Sequence, residues 1–484
     1  MIEVVGEVTP RRRRAAQGRP AYGPVLAALG LAAMSFSVLQ SLVIPVLPAI
    51  RSDLHVSQQA VTWVLTGYLL SASVATPLLG RMGDMFGKRR MLLVSMSALA
   101  VGVVLSGLAT SLDLLVVGRV VQGLGGALFP LSFGIIRDEL PAYRVAGAIG
   151  FISATLGVGG GLGIAIAGPI AAQLGYHWLF WAPLPLIILS AVAMMAFIPE
   201  SRVRAGGRVN LSCALLLSAW LVALLTDISE APIWGWLSWP FGGTLLAAAV
   251  LFCAWWLAER HSANPLVDVR MLTRPAILRT NLVALAVGFV LYGSLIIVPV
   301  LLQTPRIAGY GFGISVDDAG LLLLPQTAMV CLLGALSGRL SGTIGSARAV
   351  LIGVLIGGGS FALLAVARSM EWEILTATVM IGASVGLTYS AMPNVIVESV
   401  PHEQTGVATG MNANLRTVGG ALGGQVTASV VTTGTKYLGY PAARGFTISL
   451  VLLVAISAVA AAVAARVRVG LAPVVELTAV AKGD

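Results

Sequence analysis

The stretch GRMGDMFGKRRML, residues 80–92, sets four cations, one carboxylate and three glycines between two apolar runs. Gly80, Gly83 and Gly87 allow backbones to approach closely and to turn sharply. Asp84, alone among Arg81, Lys88, Arg89 and Arg90, suits the positive N-terminal end of a helix. The cluster is either a conformational latch or a charged anchor with an incidental aspartate. Arg119 lies inside an apolar run, where a charge costs roughly 2.5–3.5 kcal/mol on insertion scales and so calls for a partner or a cavity. Gln122, three residues on, shares its face; the alternative is an arginine snorkelling to an interface. Asn412 and Arg416 are spaced i, i+4, and Asn394 adds a further amide; such groups either join helices or line a wet cavity, and Arg416 could merely snorkel. Gly157 with Gly161, Gly159 with Gly163, and Gly419 with Gly423 have the small-xxx-small spacing of close helix packing, with hinge flexing as the functional alternative. No H-E-x-x-H motif, no G-x-x-x-x-G-K-[ST] loop and no paired carboxylates within an apolar run are present. The expectation is a protein that is not an enzyme and needs no cofactor or metal.

The elements that position these residues are membrane helices. Of 484 residues 57% are hydrophobic and only 10% charged, with a mean hydropathy of +0.92. Soluble domains carry about 25% charge, so this composition reads as an integral membrane protein. The cations behind the net charge of +10 lie between apolar runs and are not gathered on one face, which suits lipid headgroups and not nucleic acid. Fourteen runs are long enough to span: 24–49, 58–80, 91–109, 113–136, 146–172, 178–198, 208–226, 239–257, 280–303, 319–341, 348–368, 373–397, 405–431 and 446–466. The first is too long for a cleaved signal, despite the RRRR at Arg11–Arg14. Of thirty Lys and Arg residues, only Arg51, Arg306, Arg368, Lys436 and Arg444 fall on one side, and Arg119 and Arg416 lie within spans. The other twenty-three share a side with both termini, which the positive-inside rule makes cytoplasmic.

GRMGDMFGKRR from Gly80 aligns without gaps on GRLSGTIGSAR from Gly338, 258 residues later. Gly80, Arg81, Gly87 and Arg90 match Gly338, Arg339, Gly345 and Arg348. Each copy follows the second span of a six-span group once 208–226 and 239–257 are set aside. The expected fold is an all-α polytopic protein of two pseudo-symmetric six-helix bundles plus two inserted helices. Its parts are a basic tail (1–23), an N-terminal bundle (24–199), linkers with the inserted pair (200–279), a C-terminal bundle (280–467) and a second tail (468–484).

GRMGDMFGKRR, together with RVVQGLGGALFP from Arg119, WVLTGYLL at Trp63–Leu70 and GVATGMNANLRTVGGALG from Gly406, resembles the major facilitator superfamily in its fourteen-span drug:proton antiporter branch. The resemblance implies a bacterial inner-membrane transporter exporting an amphipathic drug or antibiotic by alternating access. The alternative is a facilitator or importer without proton antiport. It further implies that Asp84 contacts the cytoplasmic end of span 13, and that the working parties are a small-molecule substrate, protons and lipid. Tyr68 and Gln40 join Arg119, Gln122, Asn394, Asn412 and Arg416 as cavity candidates. Family members often carry an acid in span 1, where this chain has Leu39 and Gln40. The span 5 motif is partly kept, at Gly163 and Gly168. The expected proton carriers are therefore Asp138 and Glu139, at the end of span 4.

Overall fold

A computed structural model describes residues 22–43, 46–56, 58–201, 210–262, 265, 267–308, 310–314, 322–432 and 443–468. Residues 1–21, 202–209 and 469–484, which hold most of both tails and part of the central linker, lie outside the described residues. The first bundle comprises α1 (Tyr22–Leu42), α2 (Gln58–Phe86), α3 (Lys88–Gly107), α4 (Leu112–Glu139), α5 (Ala142–Leu174) and α6 (Trp178–Phe197). The inserted pair is α7 (Leu211–Trp234) and α8 (Trp239–His261). The second bundle comprises α9 (Pro275–Gln303), α10 (Leu324–Ile344), α11 (Ser346–Val366), α12 (Glu371–Ser399), α13 (Thr405–Thr432) and α14 (Ala443–Ala464). Thirteen of these are long and apolar enough to cross a membrane. The other is α13, equally long at 28 residues, which carries Asn412, Asn414, Arg416 and Gln425. The chain is a multi-pass helical membrane protein.

Several boundaries differ from the sequence reading, the span expected at 208–226 running as Leu211–Trp234, and two of the differences change an element. The first span ends at Leu42, and Leu47–Asp53 forms a separate short helix with Pro48 in its first turn. Residues 80–86 are not a loop but the last two turns of α2. The whole connection to α3 is Gly87, whose φ of +116° few side chains tolerate. Gly345 makes the same one-residue break between α10 and α11, at φ +90°. The two copies of the repeat thus build the same corner.

Two seams join the bundles: α2 lies against α13, and α5 against α10. A Cβ on Gly80 would stand 2.9 Å from the Gly406 carbonyl oxygen, and one on Gly338 would strike the Gly147 backbone. Both repeat glycines therefore serve at seams, where backbone meets backbone. The inserted pair packs through α7 onto α2 and α13, across the first seam. Trp236 Nε1 donates to Ser429 Oγ on α13 (3.1 Å), and Trp220, Phe252 and Trp255 hold α7 to α8.

Candidate functional site

The charged corner closes one end of the α2–α13 seam. Asp84 is fully buried, and its Oδ2 accepts from the Val407 amide (3.2 Å). Val407 lies in the first turn of α13, where amides lack intrahelical partners and the helix dipole is positive. Four residues on, Lys88 is also fully buried, 3.6 Å from Asp84 Oδ1 and 2.8 Å from Asp138 Oδ2. Asp138 accepts a second hydrogen bond from Ser201 Oγ (2.5 Å). Two more cations of the motif make contacts on their own side of the seam: Arg89 Nη2 donates to the Met195 carbonyl (2.6 Å), and Arg90 Nε lies 3.4 Å from Glu200.

Arg137 completes the closure, and the sequence reading missed it. Its Nη2 donates to the Val400 carbonyl (2.7 Å), and Nη1 to the Pro401 carbonyl (3.1 Å) and Thr405 Oγ1 (2.6 Å). The first bundle thus offers a guanidinium to the carbonyl end of α12 and a carboxylate to the amide end of α13. Each charge has the sign that its helix end attracts. The available signal was an arginine in the last turn of α4, beside Asp138.

Between the bundles, further along the seam, lies a cavity of about 130 Å³. Gln40 of α1, Tyr68 of α2 and Phe129 of α4 face Tyr292 of α9, Tyr389 of α12 and Arg416 of α13. A narrow extension toward the charged corner adds Phe133 and Asn412. Among the described residues, no Asp or Glu lines either space. Small-molecule pockets enclose roughly 300–1,000 Å³, so this conformer is nearly closed around its centre.

Arg416 lies eleven residues into α13, about 17 Å at 1.5 Å per residue, too deep to snorkel. Its guanidinium sits 4.0 Å over the Tyr389 ring. Arg119 and Gln122 form a layer outside the cavity, correcting their expected placement in its lining. Arg119 Nε donates to the Val64 carbonyl (3.1 Å), Nη1 to Gln122 Oε1 (2.7 Å), and the guanidinium lies 4.5 Å over Tyr68. Gln122 in turn bonds the Gly102 carbonyl (3.0 Å) and Ser106 Oγ (2.8 Å). The arginine ties α4 to α2, and the glutamine ties α4 to α3.

Other expectations also move. Asp138 lies in the charged corner and Glu139 ends α4 beside it, half-buried, and neither lines the cavity. Asn394 Nδ2 points to the Ala146 carbonyl of α5 (3.5 Å), bridging the bundles outside the cavity. Asn412 Nδ2 bonds Asn281 Oδ1 of α9 (2.9 Å) at the edge of the extension. Gly161 faces Thr327 across the second seam, Gly163 faces Ser41, and Gly419 and Gly423 lie against the backbone of α9. Gly157 continues α5. A Cβ added at Gly168 would meet nothing within 4 Å, so this residue is no packing glycine. Residues 382–386 spell G-x-S-x-G, yet they run inside continuous α12 and not at a strand–helix elbow.

The sequence pattern of the Major Facilitator Superfamily matches residues 29–211 and 201–424. The chain is 30% identical over 411 residues to the tetracenomycin C resistance and export protein of Streptomyces glaucescens, covering 84% of this chain and 75% of the relative. It is 29% identical over 397 residues to the multidrug resistance protein Stp of Mycobacterium tuberculosis, covering 81% and 73%. It is 28% identical over 396 residues to the lincomycin resistance protein of Streptomyces lincolnensis, covering 79% of each. Among solved structures, the human organic anion transporter MFSD10 (TETRAN) superposes with a TM-score of 0.68 at 17% identity, covering 92% of this chain and 100% of that one. The proton:xylose symporter XylE superposes at 0.64 and 15%, covering 91% and 94%. At these identities the structures speak for the fold alone.

Proposed function

As the chain belongs to the Major Facilitator Superfamily, we propose that it is a secondary active transporter exporting an amphipathic drug or antibiotic by alternating access. The observation that carries this reading is the central cavity at the bundle interface, closed at one end by Asp84 and Arg137 on the 400–407 turn. Breaking those contacts lets the bundles rock about the cavity and open that end. The names of the three relatives, for tetracenomycin C resistance and export, multidrug resistance and lincomycin resistance, support the outward direction. The closed end carries the motif cations, so it is cytoplasmic, in the inner membrane of a bacterium. A cysteine at the fully exposed Leu237, in a background without native cysteines, should be labelled by an impermeant thiol reagent in intact cells, and one at the exposed Thr343 should not. The opposite pattern would invert the orientation.

Export runs in exchange for protons, and the candidate carrier is the buried Asp84–Lys88–Asp138 cluster, since the cavity itself offers no carboxylate. That same lack of a cavity carboxylate favours a second reading, a facilitator without coupling. Proteoliposomes with an imposed pH step separate the two: proton exchange drives substrate against its own gradient, whereas a facilitator ignores the step. Coupling that survives neutralising Asp84 and Asp138 together would place the proton site elsewhere.

A further inference from the structure

Among the described residues the cavity's only charge is Arg416, and its surroundings decide what that charge is for. Arginine stays protonated in any protein environment. Among the described residues Arg416 has neither a salt bridge nor a side-chain hydrogen bond; its guanidinium lies over the Tyr389 ring face, with Tyr292 on the same cavity wall. Arg119 shows what a structural arginine looks like in the same chain: fully buried, bonded to a carbonyl and to an amide oxygen, and stacked on Tyr68. Arg416 is only half-buried and keeps its donors for whatever enters.

We propose that the cavity selects planar aromatic molecules bearing an acidic group, such as a carboxylate or an acidic phenol, and rejects lipophilic cations. This rests on the reading of the cavity as the transport site. An anionic oxygen on the ligand would take the guanidinium's free donors in a charge-assisted pair. Phe36, Phe129 and Tyr292 supply faces and edges for a ring system, and Gln40 a neutral hydrogen-bonding group. Aromatic walls alone would also welcome a cation, but one face each of Tyr68 and Tyr389 is taken by an arginine, and the fixed charge of Arg416 stands beside the remaining rings. A cationic ligand would lie beside Arg416 with no carboxylate to offset the repulsion.

Fluorescein and a cationic rhodamine ester test this, because they share a xanthene ring system and differ in charge. Binding to the full-length protein in nanodiscs is read by ligand anisotropy. Fluorescein should bind at least about tenfold tighter than the rhodamine. Arg416→Gln should erase that preference and Arg416→Lys should keep part of it. Gln40→Glu, which adds a carboxylate to the lining, should turn the preference toward the rhodamine, and it tests the idea independently should the Arg416 variants fail to fold. Equal or tighter rhodamine binding by the wild type overturns the proposal, as does a fluorescein preference that survives Arg416→Gln, or no fluorescein binding at all. Charge-selective binding without any movement of fluorescein into energised inverted vesicles would instead sink the exporter reading and leave the selectivity standing.

Discussion

The corner at residues 80–90 and its repeat at 338–348 share a skeleton and differ in charge. Both end a second helix at a glycine with positive φ, Gly87 or Gly345, and both place a glycine, Gly80 or Gly338, against the opposing bundle's backbone. Both also tie the start of the third helix to the end of the fourth. In the first copy Lys88 Nζ reaches Asp138 Oδ2 (2.8 Å); in the second Ser346 Oγ reaches Glu398 Oε1 (2.7 Å). Asp84 corresponds to Gly342, and nothing in the second copy replaces it. The backbone corner is what the fold needs twice, and the charge is what one seam alone needs.

The reason lies in where each partner helix begins. α13 starts at Thr405, so its crossing point with α2, at Gly406, falls on amides with no partner inside the helix. α5 starts at Ala142, five residues before its crossing with α10 at Gly147, and its amides there are already spent on the turn before. A carboxylate has something to bind at the first seam and nothing at the second.

The largest expected effect breaks the comparison at its ionic link. Lys88→Met leaves Asp84 and Asp138 facing each other's neighbourhood without their shared cation, a loss of about 3–5 kcal/mol for a buried pair stripped of one partner. Ser346→Ala removes one hydrogen bond to a carboxylate, worth about 1.5–3 kcal/mol, and leaves no ion pair broken. Thermal unfolding in detergent should show Lys88→Met below Ser346→Ala. Equal melting temperatures would mean that the charged corner is no more than a decorated copy.

The next effects concern conformation and not folding. Asp84→Asn keeps the shape and weakens the contact to α13 by at most about 1–2 kcal/mol, enough to shift an equilibrium but not to abolish insertion. Transport should fall by about tenfold with normal protein in the membrane. Arg137→Ala, which frees the same 400–407 turn from its other side, should have a similar effect. The double variant should lose less than the product of the two, because both act on one bistable contact. Normal transport by both single variants would remove the latch.

How much of this was legible depends on which contacts a helix makes with itself and which with its neighbours. Helix positions, the Gly80–Gly338 repeat and the corner glycines follow from composition and spacing, and the structure agrees within a few residues over most spans. α13 falls outside the thirteen helices that hydropathy alone picks out, because the cavity wants its Arg416 and Asn412. Rotation about the helix axis was not legible. Spacing put Gln122 on the face of Arg119, correctly, but not that face against α2 and α3 in place of the cavity. Likewise Asp138 reads as a free acid in the chain and becomes the partner of Lys88 only when α3 and α4 pack.

The smallest effect sharpens the comparison most. Gly342→Asp restores to the second copy the carboxylate that the first has at Asp84. The position has nothing within 4 Å of a new Cβ and is exposed, so the side chain fits without strain. If charge at this place in the motif were itself the latch, the new aspartate would hold the second seam and slow transport. If the latch is a match between a carboxylate and unspent helix amides, the aspartate finds none, because α5 has begun more than a turn earlier. It should then behave as an ordinary surface substitution, within about 0.5 kcal/mol in stability, with transport close to that of the parent protein. Side-by-side uptake into inverted vesicles decides between them. Inhibition as strong as that of Asp84→Asn would show that the helix start, Thr405 against Ala142, is not what sets the two seams apart.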